Sequence, residues 1–270
     1  MNDAGLIAGT GFVYNPAAKT FVSLDPASFP TSINSDGDVV GMIFRGTIDR
    51  GAFLYVSETG LIYDLLPVLG TLAGVAGSIN DRRQILGYGF DPNNYQAGGS
   101  GPPQFGGITL RYSFPVKINN AGEMMANAAS GDFYAGGLLY TPARGLIHLP
   151  GMAIDLNNSN QLLLQNGSGQ YSIYNTSSGA VTPIAPAISV PFEIRRINDN
   201  GEYIGVADPP NQIQTPFYAS TTFGGALLRD LIPPDSGWTL ESAIAINNRG
   251  QILVEAFRGD RDTTLLLTPQ

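Results

Sequence analysis

The chain has 270 residues, 43% of them hydrophobic, with 22 acidic and 14 basic side chains and a net charge of −8. That length suits one β-rich domain with a sizeable core, and an acidic balance without a basic stripe excludes a nucleic-acid backbone or an anionic membrane surface as the main partner. The absence of cysteine excludes disulfides and thiolate catalysis, and no apolar run is long enough to cross a bilayer, so no membrane insertion is expected. Thirty-four Gly and 19 Pro are spread along the whole chain and imply many tight turns.

The chain opens on "MNDAGLIAGTGF", which lacks the basic start and long apolar stretch of a secretory signal. Met1 stands where later copies of the same phrase carry Ile. The first unit therefore begins inside a repeat, and either a longer precursor or a neighbouring strand is expected to complete it. The phrase returns as "SINSDGDVVGMIF" from Ser32, "SINDRRQILGYGF" from Ser78, "KINNAGEMMANAA" from Lys117, "RINDNGEYIGVAD" from Arg196 and "AINNRGQILVEAF" from Ala245. Its Asn recurs at Asn2, Asn34, Asn80, Asn119, Asn157, Asn198 and Asn247. Three residues later come Gly5, Gly37, Arg83, Gly122, Asn160, Gly201 and Gly250. Asn opening a turn with Gly three places on is β-turn chemistry, the last slot needing positive φ. Asn160 tolerates that slot, whereas Arg83 is expected to be strained in it.

In chain order, "GFVYN" and "TFVSL" read as strands after the first turn. "DVVGMIF", "GAFLYV" and "LIYDLL" follow the second, and "GVAGSIN", "QILGYGF" and "ITLRYS" surround the third. "FPVKIN", "EMMANAA", "GGLLYT" and "GLIHLP" form the fourth set, and "QLLLQN", "YSIYN" and "AVTPIAP" the fifth. "FEIRRIN", "EYIGVAD", "PFYAS" and "ALLRDLI" form the sixth, and "SAIAIN", "QILVEAF" and "TTLLLT" the last. Four short antiparallel strands per unit of about 40 residues describe a β-propeller blade. The expected fold is all-β, a single propeller domain over residues 1–270. The Asn34-to-Asn247 copies are spaced by about 43 residues, and the remaining length holds one further blade rather than two. Six blades are therefore favoured, with seven, the count of Asn motifs, as the alternative. The ring is expected to close by mixing N- and C-terminal strands.

The pattern Ile-Asn-x-x-Gly-x-Ile-x-Gly followed by an Ala-Phe-Leu-Tyr strand, as in Ile79–Gly87 and Ala52–Tyr55, resembles the HAF-type bacterial extracellular repeats. The resemblance covers nearly the whole chain and implies a secreted, propeller-like protein, extracellular or periplasmic. It brings no common activity and no catalytic residue. The strand order is also similar to that of WD-repeat propellers, without their Trp-Asp signature.

Two before each Asn stand Ser32, Ser78, Lys117, Asp155, Arg196 and Ala245, and one before it stands Ile or Leu. Strand alternation puts the apolar register between blades and the polar one on the other side. Lys117 and Arg196 flanking Asp155 read either as an internal ion network or as a site whose cations take a carboxylate or phosphate. Glu193 and Glu241 lie further up their inner strands and would extend that site. With Asp155 they are also the candidate ligands of a calcium ion. Tyr95 in the long loop Gly89–Gly107, and Trp238, the only tryptophan, in "PPDSGW", are candidate stacking residues for a sugar or aromatic ligand. The sole histidine, His148, stands in an outer strand, which leaves no Ser-His-Asp or multi-His arrangement.

Two functions follow. One is a secreted propeller that binds a small molecule, glycan or protein partner through one face and is expected to act as a monomer. The alternative is a propeller hydrolase, calcium-dependent by analogy with six-bladed propeller enzymes, acting on lactones, esters or phosphotriesters.

Overall fold

The computed structural model describes residues 1–44, 46, 50–69, 73–90, 104–105, 108–109, 113–128, 136–210 and 213–269. Regular structure there is almost wholly short antiparallel strands. β1 (Ile7–Gly9), β2 (Phe12–Asn15) and β3 (Thr20–Ser23) form a three-stranded sheet in that order. A four-stranded sheet follows, of β4 (Ser28–Ile33), β5 (Val39–Phe44), β6 (Arg50–Val56) and β7 (Leu61–Asp64). Next come the pairs β8 (Ala73–Ile79) with β9 (Ile85–Phe90), and β10 (Gln104–Phe105) with β11 (Ile108–Thr109). β12 (Ser113–Ile118), β13 (Met124–Ala128), β14 (Gly137–Thr141) and β15 (Gly145–His148) make the next four-stranded sheet. β16 (Met152–Leu156), β17 (Gln161–Gln165), β18 (Tyr171–Asn175) and β19 (Val181–Ile184) make another. β20 (Phe192–Ile197), β21 (Glu202–Ala207), β22 (Thr215–Ser220) and β23 (Ala226–Leu227) make the last of four, before the three-stranded β24 (Thr239–Ile246), β25 (Ile252–Arg258) and β26 (Arg261–Leu267).

Six inner strands, β4, β8, β12, β16, β20 and β24, each run into an Asn turn. The fold is an all-β propeller of six blades, built on four-stranded antiparallel sheets, as the repeat spacing predicts. Two outer segments depart from the strand reading. Leu66–Leu69 forms one helical turn after β7, and Leu228–Asp230 a 3₁₀ turn after β23, where the amide of Leu231 donates to the Leu228 carbonyl.

The chain divides into two compact units, Met1–Ala153 and Ile154–Gln270. In the first, Val13, Leu24, Val39 and Phe53 pack together, Val40 and Ala52 pack on Ala76 and Ile79, and Leu86 packs on Ile118 and Met124. In the second, Leu163, Tyr171, Ile194 and Phe217 form one cluster, and Ile204, Leu228, Leu240 and Val254 another. Each cluster mixes residues of adjacent blades, so burial between sheets is what holds neighbours together. The apolar residue before the Asn belongs to these clusters: Ile79, Ile118 and Ile197 are buried, with Ile33 and Ile246 partly so.

The inner strands are not regular. Their register slips by one residue between Pro30 and Ser32, Ala76 and Ser78, Pro115 and Lys117, Ile194 and Arg196, and Ala243 and Ala245. A bulge thus recurs three residues before the Asn. Opposite it stands the last residue of the motif, Gly at Gly41, Gly87 and Gly205 but Ala126 and Val254 in two other copies. A Cβ on Gly41 would lie 2.2 Å from the Phe29 carbonyl oxygen, and one on Gly205 only 1.9 Å from that of Glu193. In these copies the two strands approach too closely for a side chain at the glycine.

Candidate functional site

Each Asn turn is a self-contained hydrogen-bonded unit. Around Asn198 the backbone amide bonds to the Glu202 carbonyl, and the Gly201 amide returns to the Asn198 carbonyl. The Asn198 Oδ1 accepts the amides of Asn200 and Glu202, and its Nδ2 donates to the Glu202 carboxylate. Asn80 with Gln84, Asn119 with Glu123, Asn157 with Gln161 and Asn247 with Gln251 repeat the side-chain contact at 2.7–2.9 Å. The exposed Asn166–Gln170 turn between β17 and β18 builds the same unit outside the repeat. Positive φ occurs at Gly5, Gly37, Gly122, Gly201 and Gly250, and also at Arg83 (57°) and Asn160 (58°), as the sequence reading required.

The repeated Asn residues do more than close hairpins. They are 3–7% exposed, and at Asn2, Asn34, Asn80, Asn157 and Asn198 the spare amide hydrogen reaches the next copy. In the first unit Asn2 Nδ2 donates to the Asn34 carbonyl (2.8 Å), Asn34 to that of Asn80 (3.3 Å) and Asn80 to that of Asn119 (2.9 Å). In the second, Asn157 donates to the carbonyl of Asn198 (2.8 Å) and Asn198 to that of Asn247 (2.9 Å). A parallel series joins the following residues: the amide of Ser35 to Asp81, of Asp81 to Asn120, of Asn158 to Asp199 and of Asp199 to Asn248.

The polar register two before the Asn supplies a third series. Ser32 Oγ accepts the Ile79 amide (3.3 Å), Ser78 Oγ that of Ile118 (3.2 Å) and Asp155 Oδ2 that of Ile197 (2.9 Å). Alternate amides of an inner edge strand face away from its own ladder, and here the preceding copy provides the acceptor. Asp155 is 3% exposed, and its Oδ1 accepts the Leu156 amide. Arg196 is exposed and donates to the Arg195 carbonyl. Lys117 is half-buried on β12, in the first unit. Glu193 pairs with Arg195 at 3.1 Å, and Arg195 also reaches Ser242 at 3.3 Å. Glu241 is exposed on β24. Among the described residues no three His, Asp or Glu side chains gather as a metal site. Trp238 packs on the Leu228–Leu240 cluster with the Arg258 guanidinium 5.8 Å from its ring centre. Tyr95 lies outside the described residues.

A concavity that the repeat pattern does not mark lies in the second unit. A groove of about 870 Å³ opens between the sheet of β20–β23 and that of β24–β26, within the size range of ligand sites. Leu228, Leu231, Ile232, Ile252 and Leu267 make it apolar, while Glu202, Tyr218 and Arg249 supply its charge and hydrogen-bonding groups. Tyr218 donates to Glu202 Oε1 at 2.7 Å, so the carboxylate is held by both the phenol and the Asn198 amide. Glu202 and Ile252 occupy ordinary motif positions, and Leu228, Leu231 and Ile232 fall outside the motif, so the repeat pattern did not mark the groove.

Burial, the Glu202 hydrogen bond and the nearby Glu202 charge push the Tyr218 phenol up from 10.0 to about 12. Protonated Tyr218 therefore favours the fold fully below pH 10, and the contribution is lost as pH rises from 10 towards 12. Ultraviolet titration of the protein minus that of Tyr218→Phe should show one tyrosine ionising near pH 12, and Glu202→Gln should move it down. A Tyr218 that ionises near 10 in the parent protein would remove this pairing.

No protein-family model and no curated protein matches the chain. Solved structures do. The β-propeller domain of the Trilobed protease from Pyrococcus furiosus aligns with a TM-score of 0.61 at 11% identity, over 94% of this chain and 83% of that one. The acylaminoacyl peptidase of Pyrococcus horikoshii aligns at 0.63 and 13%, over 96% of this chain and 46% of its own. A prolyl endopeptidase aligns at 0.51 and 12%, over 89% and 41%. The chain thus spans under half the length of these last two proteins. At such identities the likeness establishes a propeller fold and nothing about activity.

Proposed function

We propose that this chain is a binding propeller, a rigid repeat scaffold that recognises a partner through its surface rather than transforming a substrate. The observation that carries this reading is how the repeated polar residues are employed. Asp155 and Glu202 hold amides of their own or adjacent copies, Glu123 holds a turn Asn, and the Asn series links one copy to the next. Such groups are structural acceptors, not a nucleophile with a base or an acid with a free proton. The HAF-like motif supports a place outside the cytoplasm, and no described helix is long and apolar enough to cross a membrane. The test is a turnover screen against lactones, esters and phosphotriesters with and without calcium and EDTA. No saturable turnover is expected, and chelator-sensitive hydrolysis would replace this reading with the hydrolase one.

A further inference from the structure

The bulged inner strands insert a different residue in each copy: Thr31, Gly77, Val116, Arg195 and Ile244. A bulge re-aims a side chain, and what it aims here changes while the frame around it repeats. Thr31 serves the fold, its hydroxyl donating to the Ala76 carbonyl of the next copy. Arg195 and Ile244, on the neighbouring inner strands β20 and β24 of the second unit, reach solvent instead. On β20 a second arginine follows the first. Arg195 Nη1 donates to Ser242 Oγ on β24 at 3.3 Å, and its Nη2 meets Glu193 in an exposed pair at 3.1 Å. Arg196 Nη1 donates to the Arg195 carbonyl at 2.8 Å, which holds that guanidinium against the bulge. Arg196 stands two before the Asn, where Ser32, Ser78 and Asp155 accept the next copy's Ile amide. Arginine has no acceptor and cannot continue that series. It is exposed, and among the described residues no carboxylate pairs with it.

We propose that Arg195, Arg196 and Ser242 form a site for the carboxylate of a small apolar organic acid. The carboxylate accepts N–H groups of Arg196 and takes Arg195 over from Glu193, and charge-assisted bonds of this kind are the strong ones. Ile244 is 36% exposed and stands two residues from Ser242 along β24. It receives the apolar part of the ligand, roughly 6 Å from the carboxylate at the rise of a strand. Charge selects a carboxylate over a phosphate. Glu193 and Glu241, the neighbour of Ser242, balance the two arginines, so one negative charge suits the site and a dianion meets two acidic groups. This deepens the binding reading and rests on it.

The probe is phenylpropionate, added to the full chain and followed by the amide shifts of its nuclear magnetic resonance spectrum. Saturable binding is expected at roughly millimolar concentration, weakening as salt rises, with the amides of Arg195, Arg196 and Ser242 moving. Phenylpropylamine, the same body with the opposite charge, should not bind. Arg196→Met, at an exposed position, should weaken binding by roughly tenfold or more while leaving the melting temperature unchanged. Arg196→Lys should recover only part of the loss, since an ammonium lacks the planar fork. Glu193→Gln should tighten binding, because it releases Arg195 and removes a like charge. An arginine pair that only supports the fold would give none of these changes. No saturable binding, equal binding of the amine, or binding indifferent to Arg196→Met overturns the proposal. Tighter capture of phenylpropyl phosphate would give the arginines to phosphate and overturn it equally. Carboxylate capture alongside chelator-sensitive turnover would overturn the non-catalytic reading and leave the site standing. No capture and no turnover would do the reverse.

Discussion

Asn198→Ala should lower the stability of the fold by about 3 kcal/mol, and melting by roughly 6–12 °C. The residue is 4% exposed and makes four side-chain hydrogen bonds, to the amides of Asn200 and Glu202, the Glu202 carboxylate and the Asn247 carbonyl. Alanine leaves four partners unsatisfied, the Asn247 carbonyl in a buried place and the other three in part-buried ones, and the cost of unsatisfied groups exceeds the net worth of the bonds. The chain supplies its own control. Asn166 builds the same turn with Ser168 and Gln170, but exposed and linked to no other copy. Asn166→Ala should cost about 1 kcal/mol or less, since water replaces its partners. The difference between the two, measured by urea titration, is the contribution of burial and the link to the next copy. Equal losses at both positions would mean that the Asn series holds only its hairpins.

That comparison marks how far the sequence could be read. Asn-x-x-Gly is a local code, because the bonds that close the turn fall within four residues, and so the strands and the six-blade fold could be placed from it. The bonds that join one turn to the next span 32 to 49 residues. Nothing in the spelling of one copy says that its second amide hydrogen is spoken for by another. The inner-strand bulge was equally hidden, because Thr31, Gly77, Val116, Arg195 and Ile244 occupy it with no shared chemistry. A strict alternation carries Ser78 and Asp155 to one side of an idealised strand. Their oxygens meet the next copy's Ile amide there, a contact that the alternation alone does not announce. The groove was illegible for a third reason: it is made by a loop, Leu228–Pro233, and a sheet edge, features that differ from copy to copy.

Asp38 and Arg83 should show a reversal of sign. Arg83 occupies the turn slot that Gly fills in five copies, with φ at 57°, a region unfavourable to any side chain with a Cβ. Its Nε meets Asp38 Oδ2 in the preceding copy at 2.6 Å. Asp38 is fully buried and also accepts the Ser57 amide at 2.9 Å and the Asn34 side chain at 3.4 Å. Asp38→Ala strands three donors and should destabilise by roughly 3 kcal/mol. In the parent protein Arg83→Gly should also destabilise: it relaxes the backbone but leaves a buried carboxylate without its counter-charge, and the second effect is the larger. In the Asp38→Ala background the counter-charge has no function, so the same Arg83→Gly change only relieves the turn and should raise the melting temperature. A double-mutant cycle by thermal melting reads both signs directly. If Arg83→Gly stabilises the parent protein as well, the ion pair is incidental and Arg83 is simply a poor residue in a glycine position.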